Sequence, residues 1–192
     1  MKPVVMSKNL VQVCLCKKVG KCMKNLIIIN GTMGVGKTTT SKILLKLLPN
    51  CVFLDGDWCW YADPWIVTDE TKNMVDQNIS FLLNNFLSCS AYENVIFCWV
   101  MHDENLIDRV LSWVKGSKYS LHKYSLVCSE DALVTRLKKD IADSMRNDDI
   151  IERSLKRLPN FVKMDTVKID VSEITPKQAA HIIYELVMQT QR

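Results

Sequence analysis

Gly31-Thr32-Met33-Gly34-Val35-Gly36-Lys37-Thr38 is preceded by the apolar run Leu26-Ile27-Ile28-Ile29 and followed by Thr39-Thr40-Ser41-Lys42-Ile43-Leu44-Leu45-Lys46-Leu47-Leu48. The first run is short, mostly β-branched and unbroken, as a buried strand is. The second carries Leu and Ile at helical spacing and stops at Pro49-Asn50, which predicts a helix over 37–48. The octapeptide between them fits G-x-x-x-x-G-K-[ST], and strand, glycine loop, helix is the context that pattern requires. Gly31, Gly34 and Gly36 supply backbone angles closed to other residues, so the loop can turn its N–H groups inward. With the positive end of the following helix, those groups form an anion site. Lys37 adds a mobile positive charge for β- and γ-phosphates. The Thr38 hydroxyl is a hard oxygen ligand for Mg²⁺. Thr32, Met33, Val35 and Thr39 complete the candidate nucleotide-binding set.

The chain has 192 residues, 48% hydrophobic and 24% charged, the composition of a globular protein of about one domain. No apolar run approaches the roughly 20 residues that cross a bilayer. The basic N-terminus lacks the uninterrupted apolar core of a secretory signal. A cytoplasmic location without membrane contact is the expectation. Net charge is +4, but residues 1–24 hold six lysines and no acid. Removing those six from the 25 basic residues leaves 19 against 21 acids over 25–192. Only the tail is basic, and the acidic body argues against nucleic acid as a partner. Residues 1–24 read as a basic extension ahead of a single domain at 25–192. The eight cysteines lie mostly inside apolar runs, which points to reduced, buried thiols. Cys14, Cys16 and Cys22 lack a fourth partner at zinc-like spacing.

From Leu26 the chain alternates strand and helix. Cys51–Leu54 predicts a strand ending at Asp55-Gly56-Asp57, and a helix capped by Thr68 runs over about 68–87. Residues 94–100 are apolar throughout and read as a central strand. A helix over about 104–114, a strand over 119–128 and a helix capped by Ser129 follow. Then come a charged segment, a strand over 166–170, and a final helix opened by Thr175-Pro176-Lys177-Gln178. Such alternation predicts a parallel sheet with helices on both faces. Ligands of such sheets bind beyond the carboxyl ends of the strands. The P-loop, Asp55 with Asp57, and Met101-His102-Asp103 should therefore share one cleft.

Asp55 and Asp57, at i and i+2 past a strand, can face one site if the chain turns at Gly56. One carboxylate can hold Mg²⁺, usually through its waters. The other can orient an attacking hydroxyl or take its proton. Asp55 is assigned to the metal and Asp57 to the acceptor.

With these motifs, residues 25–192 resemble the small P-loop kinase superfamily, which includes shikimate, gluconate, adenylylsulfate and nucleoside monophosphate kinases. The Asp55-Gly56-Asp57 pattern is similar to that of the shikimate and adenylylsulfate kinases. The resemblance implies a three-layer α/β/α fold with a five-stranded parallel sheet of order 2-3-1-4-5. It also implies ATP as donor, Mg²⁺, and a mobile helical lid. One departure is visible: Trp99-Val100-Met101-His102 stands where a Walker B aspartate would end the third strand. In shikimate-type members the carboxylate after the second strand takes the metal role, which here is Asp55.

The segment 138–160 supplies the lid candidate. Its arginines can stabilise charge on a transferred phosphoryl group, and closure excludes water. Arg146 is the first choice for that role, Arg153 a further one, and Arg136 is a candidate near the nucleotide. Trp58, Trp60, Tyr61 and Trp65 form an aromatic stretch that can cover an acceptor. Trp58, Trp99 and His102, with Asp57, are the candidate acceptor-site residues. The expected activity is transfer of the ATP γ-phosphate to a hydroxyl of a small molecule by a monomer or homodimer. A nucleotide-dependent switch protein and a nucleotide kinase are the alternatives. The chain contains no guanine-reading N-K-x-D tetrapeptide.

Overall fold

The computed structural model describes residues 23–116, 118–143 and 149–190. The first strand, β1 (Lys24–Asn30), starts two residues before the apolar run, and the P-loop leads from it into α1 (Lys37–Leu47). There follow β2 (Cys51–Asp55), a 3-10 helix over Gly56–Trp60, α2 (Asp69–Ser88), β3 (Asn94–Cys98) and α3 (Glu104–Trp113). The chain continues with β4 (Tyr119–Val127), α4 (Glu130–Ala142), α5 (Ile150–Lys163), β5 (Val167–Asp170) and α6 (Pro176–Gln189). The five strands are parallel and ordered β2-β3-β1-β4-β5. This is the three-layer α/β/α architecture expected from the motifs.

Alternation along β1 explains the layering. Ile27 and Ile29 face one core, with Leu44 of α1, Leu133 and Leu137 of α4, and Ile183 and Val187 of α6. Leu26 and Ile28 face the other, with Val75, Ile79 and Leu83 of α2 and Ile107 and Val110 of α3. Successive strand residues point to opposite faces, so a central strand covered on both sides must be apolar at every position. The helix ends carry the capping chemistry read from sequence. Thr68 and Thr71 form a reciprocal box at α2, and Thr175 and Gln178 do the same at α6.

Helix α5 places Ile150 and Leu158 in the first core and Phe161 in the second. It is also tied to the P-loop: the buried Thr32 hydroxyl donates to the Ser154 carbonyl at 3.1 Å. A second tie sits at the end of β1. Asn30 donates from Nδ2 to the Met101 carbonyl at 2.7 Å, and its Oδ1 accepts from Met101 N at 2.9 Å. At the opposite end of the sheet, Asn25 donates to Asn94 at 2.7 Å and lies 3.2 Å from His122 Nε2. Because the Asn25 oxygen is the acceptor in that pairing, His122 Nε2 carries the proton. Burial pushes the His122 pKa down.

The end of β3 differs from expectation. β3 ends at Cys98, so Trp99 and Val100 leave the sheet instead of extending it. The reason is their position at the cleft. Among the described residues, no helix is long and apolar enough to cross a membrane. Cys51, Cys59, Cys89, Cys98 and Cys128 are free thiols, with Cys98 and Cys128 buried. The candidate ligands Cys14, Cys16 and Cys22, like most of the basic extension, lie outside the described residues.

Candidate active site

Gly31, Gly34 and Gly36 have φ of 144°, 79° and 103°, the left-handed range that bends the loop. Gly34 is also close to α4. A Cβ there would sit 2.4 Å from Leu137 Cδ2, so both conformation and space demand glycine. The loop wraps a cavity of about 210 Å³ lined by Met33, Gly34, Gly36, Lys37, Thr38 and Thr39. Asp55, Asp57, Val100 and Asp140 of α4 close it. Lys37 Nζ donates to the Thr32 carbonyl at 2.9 Å, which holds the ammonium against the loop. Three of the predicted loop residues do not line this cavity. Val35 is 3% exposed and belongs to the core, the Thr32 side chain holds α5, and Gly31 lies against the Leu126 carbonyl. Thr32, Val35 and Gly31 therefore shape the loop rather than present side chains to a ligand.

The Thr38 hydroxyl donates to Asp55 Oδ2 at 2.6 Å. Asp55 is 4% exposed, and its other oxygen accepts from Asp57 N at 3.1 Å. A buried carboxylate and a hydroxyl at one cavity wall make a hard-oxygen donor set that suits Mg²⁺, which keeps its other positions for water and phosphate. Asp55 lies beside Cys98 in the β2–β3 register, at the end of β3 where the expected acid is missing. The Cys98 thiol is pushed up in pKa by burial and then by the Asp55 carboxylate, so it stays protonated beside the site.

A second cavity, about 840 Å³, adjoins the first. Asp57, Met33 and Val100 line both. Trp60, Tyr61, Trp65, Trp99 and His102 give it aromatic walls, and Lys72, Arg153 and Arg157 add positive charge. Trp99 Nε1 donates to Asp57 Oδ1 at 3.1 Å, and the ring lies over Gly56. That contact takes Trp99 out of the strand. Trp60 and Trp65 stack at 4.7 Å between centroids.

The 3-10 helix sorts the residues after Asp55. With three residues per turn, positions 57 and 60 fall on one side and 58 on another. Asp57 and Trp60 face the cavity, while Trp58 packs edge-on against Phe53 at 5.0 Å and lines neither cavity. The expected grouping of Trp58 with the acceptor residues is corrected on that ground. Arg136 is likewise away from both cavities. Its guanidinium donates to the Val171 and Ser172 carbonyls and lines a cleft of about 90 Å³ with Gly36, Thr40, Ile174 and Pro176. Arg146 lies outside the described residues. The site residues that sequence reasoning did not assign are Asp140, Lys72 and Arg157. Arg153 and Arg157 are spaced i, i+4 on α5, a signal that they share a face, but nothing local says which cavity that face meets.

The sequence profile of an AAA domain family matches residues 27–157, more than half the chain. The chain belongs to that AAA domain family. No curated protein matches it in sequence. Among solved structures, the tunicamycin resistance protein of Deinococcus radiodurans is similar at TM-score 0.66 and 22% identity, covering 85% of this chain and 95% of that one. Shikimate kinase from Acinetobacter baumannii, in complex with shikimate, has TM-score 0.61 and 19% identity, covering 88% and 96%. A gluconokinase from Sinorhizobium meliloti 1021 has TM-score 0.56 and 17% identity, covering 88% and 99%. At these identities the AAA-domain chain shares the fold of small P-loop kinases.

Proposed function

We propose that the protein is an ATP-dependent kinase that phosphorylates a hydroxyl of a small molecule. The observation that carries this reading is Asp57 on the wall common to the two cavities. One cavity has the chemistry of a triphosphate site, and the other is large enough for an organic acceptor. The likeness in fold to proteins named as shikimate kinase and gluconokinase supports it.

In this reading the acceptor oxygen attacks the γ-phosphorus as the bond to the β–γ bridging oxygen breaks, and ADP leaves. Asp57 orients the hydroxyl and takes its proton. Lys37 and the loop N–H groups bear the phosphate charge. Thr38 and Asp55 would hold Mg²⁺, which when bound neutralises phosphate charge and fixes its geometry. The cleft beside Arg136, walled by Ile174 and Pro176, has the apolar lining for the nucleotide base. Within the 138–160 stretch expected to form the lid, α5 is anchored in both cores, and Arg146 remains the proposed phosphate contact.

The test is transfer of labelled γ-phosphate across a panel of hydroxyl compounds, with Asp57→Asn as the control. The kinase reading expects acceptor-dependent ADP release that falls about 10²–10⁴-fold in Asp57→Asn. ATP turnover indifferent to every acceptor and to Asp57→Asn would instead favour a nucleotide-dependent switch.

A further inference from the structure

The second cavity contains an unequal charge set. Asp57 is its acid, and Lys72, Arg153 and Arg157 are its permanent cations. Two of the three cations are already engaged. Lys72 pairs with Asp69 at 3.2 Å, and Arg153 Nε pairs with Asp149 at 3.0 Å. Arg157 is half-buried, and no carboxylate among the described residues lies within ion-pair distance of it. A partly desolvated guanidinium with no counter-charge among the described residues is costly, and it is the group best shaped to take a carboxylate or phosphate through two parallel hydrogen bonds.

The rest of the wall has a different preference. Trp60 and Trp65 stack with 25° between their planes and present one broad face. Trp99 is a second flat surface, fixed in orientation by its bond to Asp57. Val67 and Leu106 add apolar area. Such walls favour planar, weakly polar bodies, and about 840 Å³ admits more than a single small sugar.

We propose, resting on the kinase reading of this site, that the acceptor is a hydroxyl compound built on a flat ring system and carrying an anionic group, with Arg157 holding the anion and the tryptophans the ring. The arginines of α5 then recognise the acceptor and do not serve the ATP phosphates, since the described lining of the first cavity contains no arginine. The same positive lining disfavours polycationic acceptors of the aminoglycoside kind.

Matched ring compounds test this by NMR titration of the full chain without nucleotide, so that binding is separated from chemistry. The probes share a benzene ring and a hydroxymethyl group, and differ in the para substituent: carboxylate, phosphate ester, neutral hydroxymethyl or aminomethyl. The proposal expects the better anion to bind at least about tenfold more tightly than the neutral compound, with the ammonium weakest. It expects Arg157→Gln to bring the anionic-to-neutral ratio close to one, and Arg157→Lys to keep part of it. The carboxylate and phosphate arms tell which anion the site takes. Equal binding of all four compounds, preference for the neutral or cationic one, or no binding by any would overturn the proposal. A ratio unmoved by Arg157→Gln would overturn it as well. A protein that binds the anions but never transfers phosphate refutes the kinase reading alone. One that phosphorylates neutral or cationic alcohols and ignores the anions refutes this inference alone.

Discussion

Gly56→Ala adds one methyl group at the junction of the two cavities, and its consequence can be worked from the contacts there. The φ of Gly56 is not in the left-handed range, so alanine suits the backbone. Space is the obstacle. The new Cβ would lie 2.5 Å from Trp99 Cγ, 2.6 Å from Cδ1 and 2.9 Å from Cδ2. Ordinary carbon contacts need about 3.5–4.0 Å, so the indole must retreat by roughly 1 Å. That ring is held to Asp57 by a single 3.1 Å hydrogen bond, which does not survive such a shift. Overpacking of this kind costs about 1–3 kcal/mol, and a chain of this size loses roughly 2–4 °C in Tm per kcal/mol. A displacement of about 1 Å at the reacting groups costs on the order of 10²-fold in rate. Thermal unfolding and acceptor-dependent ADP release would be measured for wild type, Gly56→Ala, Trp99→Ala and the double variant. With the ring removed the methyl has room, so Gly56→Ala should add almost nothing to Trp99→Ala. Equal damage from the methyl in both backgrounds, or none in either, would refute the steric argument.

Asp55→Asn keeps the shape of the Thr38 contact but removes the buried charge, and should raise the half-saturating Mg²⁺ concentration for turnover about 10–100-fold. Gly34→Ala meets both a φ of 79° and Leu137, so nucleotide binding should be lost and Tm lowered, read by calorimetry with and without ATP. Asn30→Leu strands both polar groups of Met101 and should destabilise the chain by about 2–4 kcal/mol in urea unfolding. His122 has a folded pKa below its unfolded value, so its contribution is fully present above about pH 6.5 and is lost as pH falls through the folded value. Urea midpoints should therefore drop on acidification below neutrality, and less so in His122→Gln.

Most of the sheet was legible because its signals are local. An all-apolar β1 must be central, a glycine loop must follow it, and Thr68, Ser129 and Thr175 announce helix starts through their side chains. Asp55 and Asp57 were legible because their strand context fixes which end of the sheet they occupy. What failed depended on distant contacts. Trp99 and Val100 continue an apolar run, and only the closeness of Gly56 and Asp57, more than forty residues earlier, removes them from β3. Trp58 cannot be told from Trp60 without knowing that the turn after Asp55 has a period of three. Arg153 reads as a phosphate contact, and only distant contacts, such as that of Thr32 with Ser154, show that α5 carries it to the wall of the second cavity.

The clasp between Asn30 and Met101 makes a side-chain amide behave as one more peptide unit. It donates and accepts as a neighbouring strand would, so the ladder between β1 and β3 continues beyond its last paired residues, Ile29 and Cys98. Both chains that leave this point, the P-loop and the segment carrying His102, therefore depart from a common rigid edge. The floors of the two cavities thus share one anchor. The exposed stretch from Tyr61 to Thr68, irregular and rich in apolar side chains, lies outside that ladder and has no such tie to it.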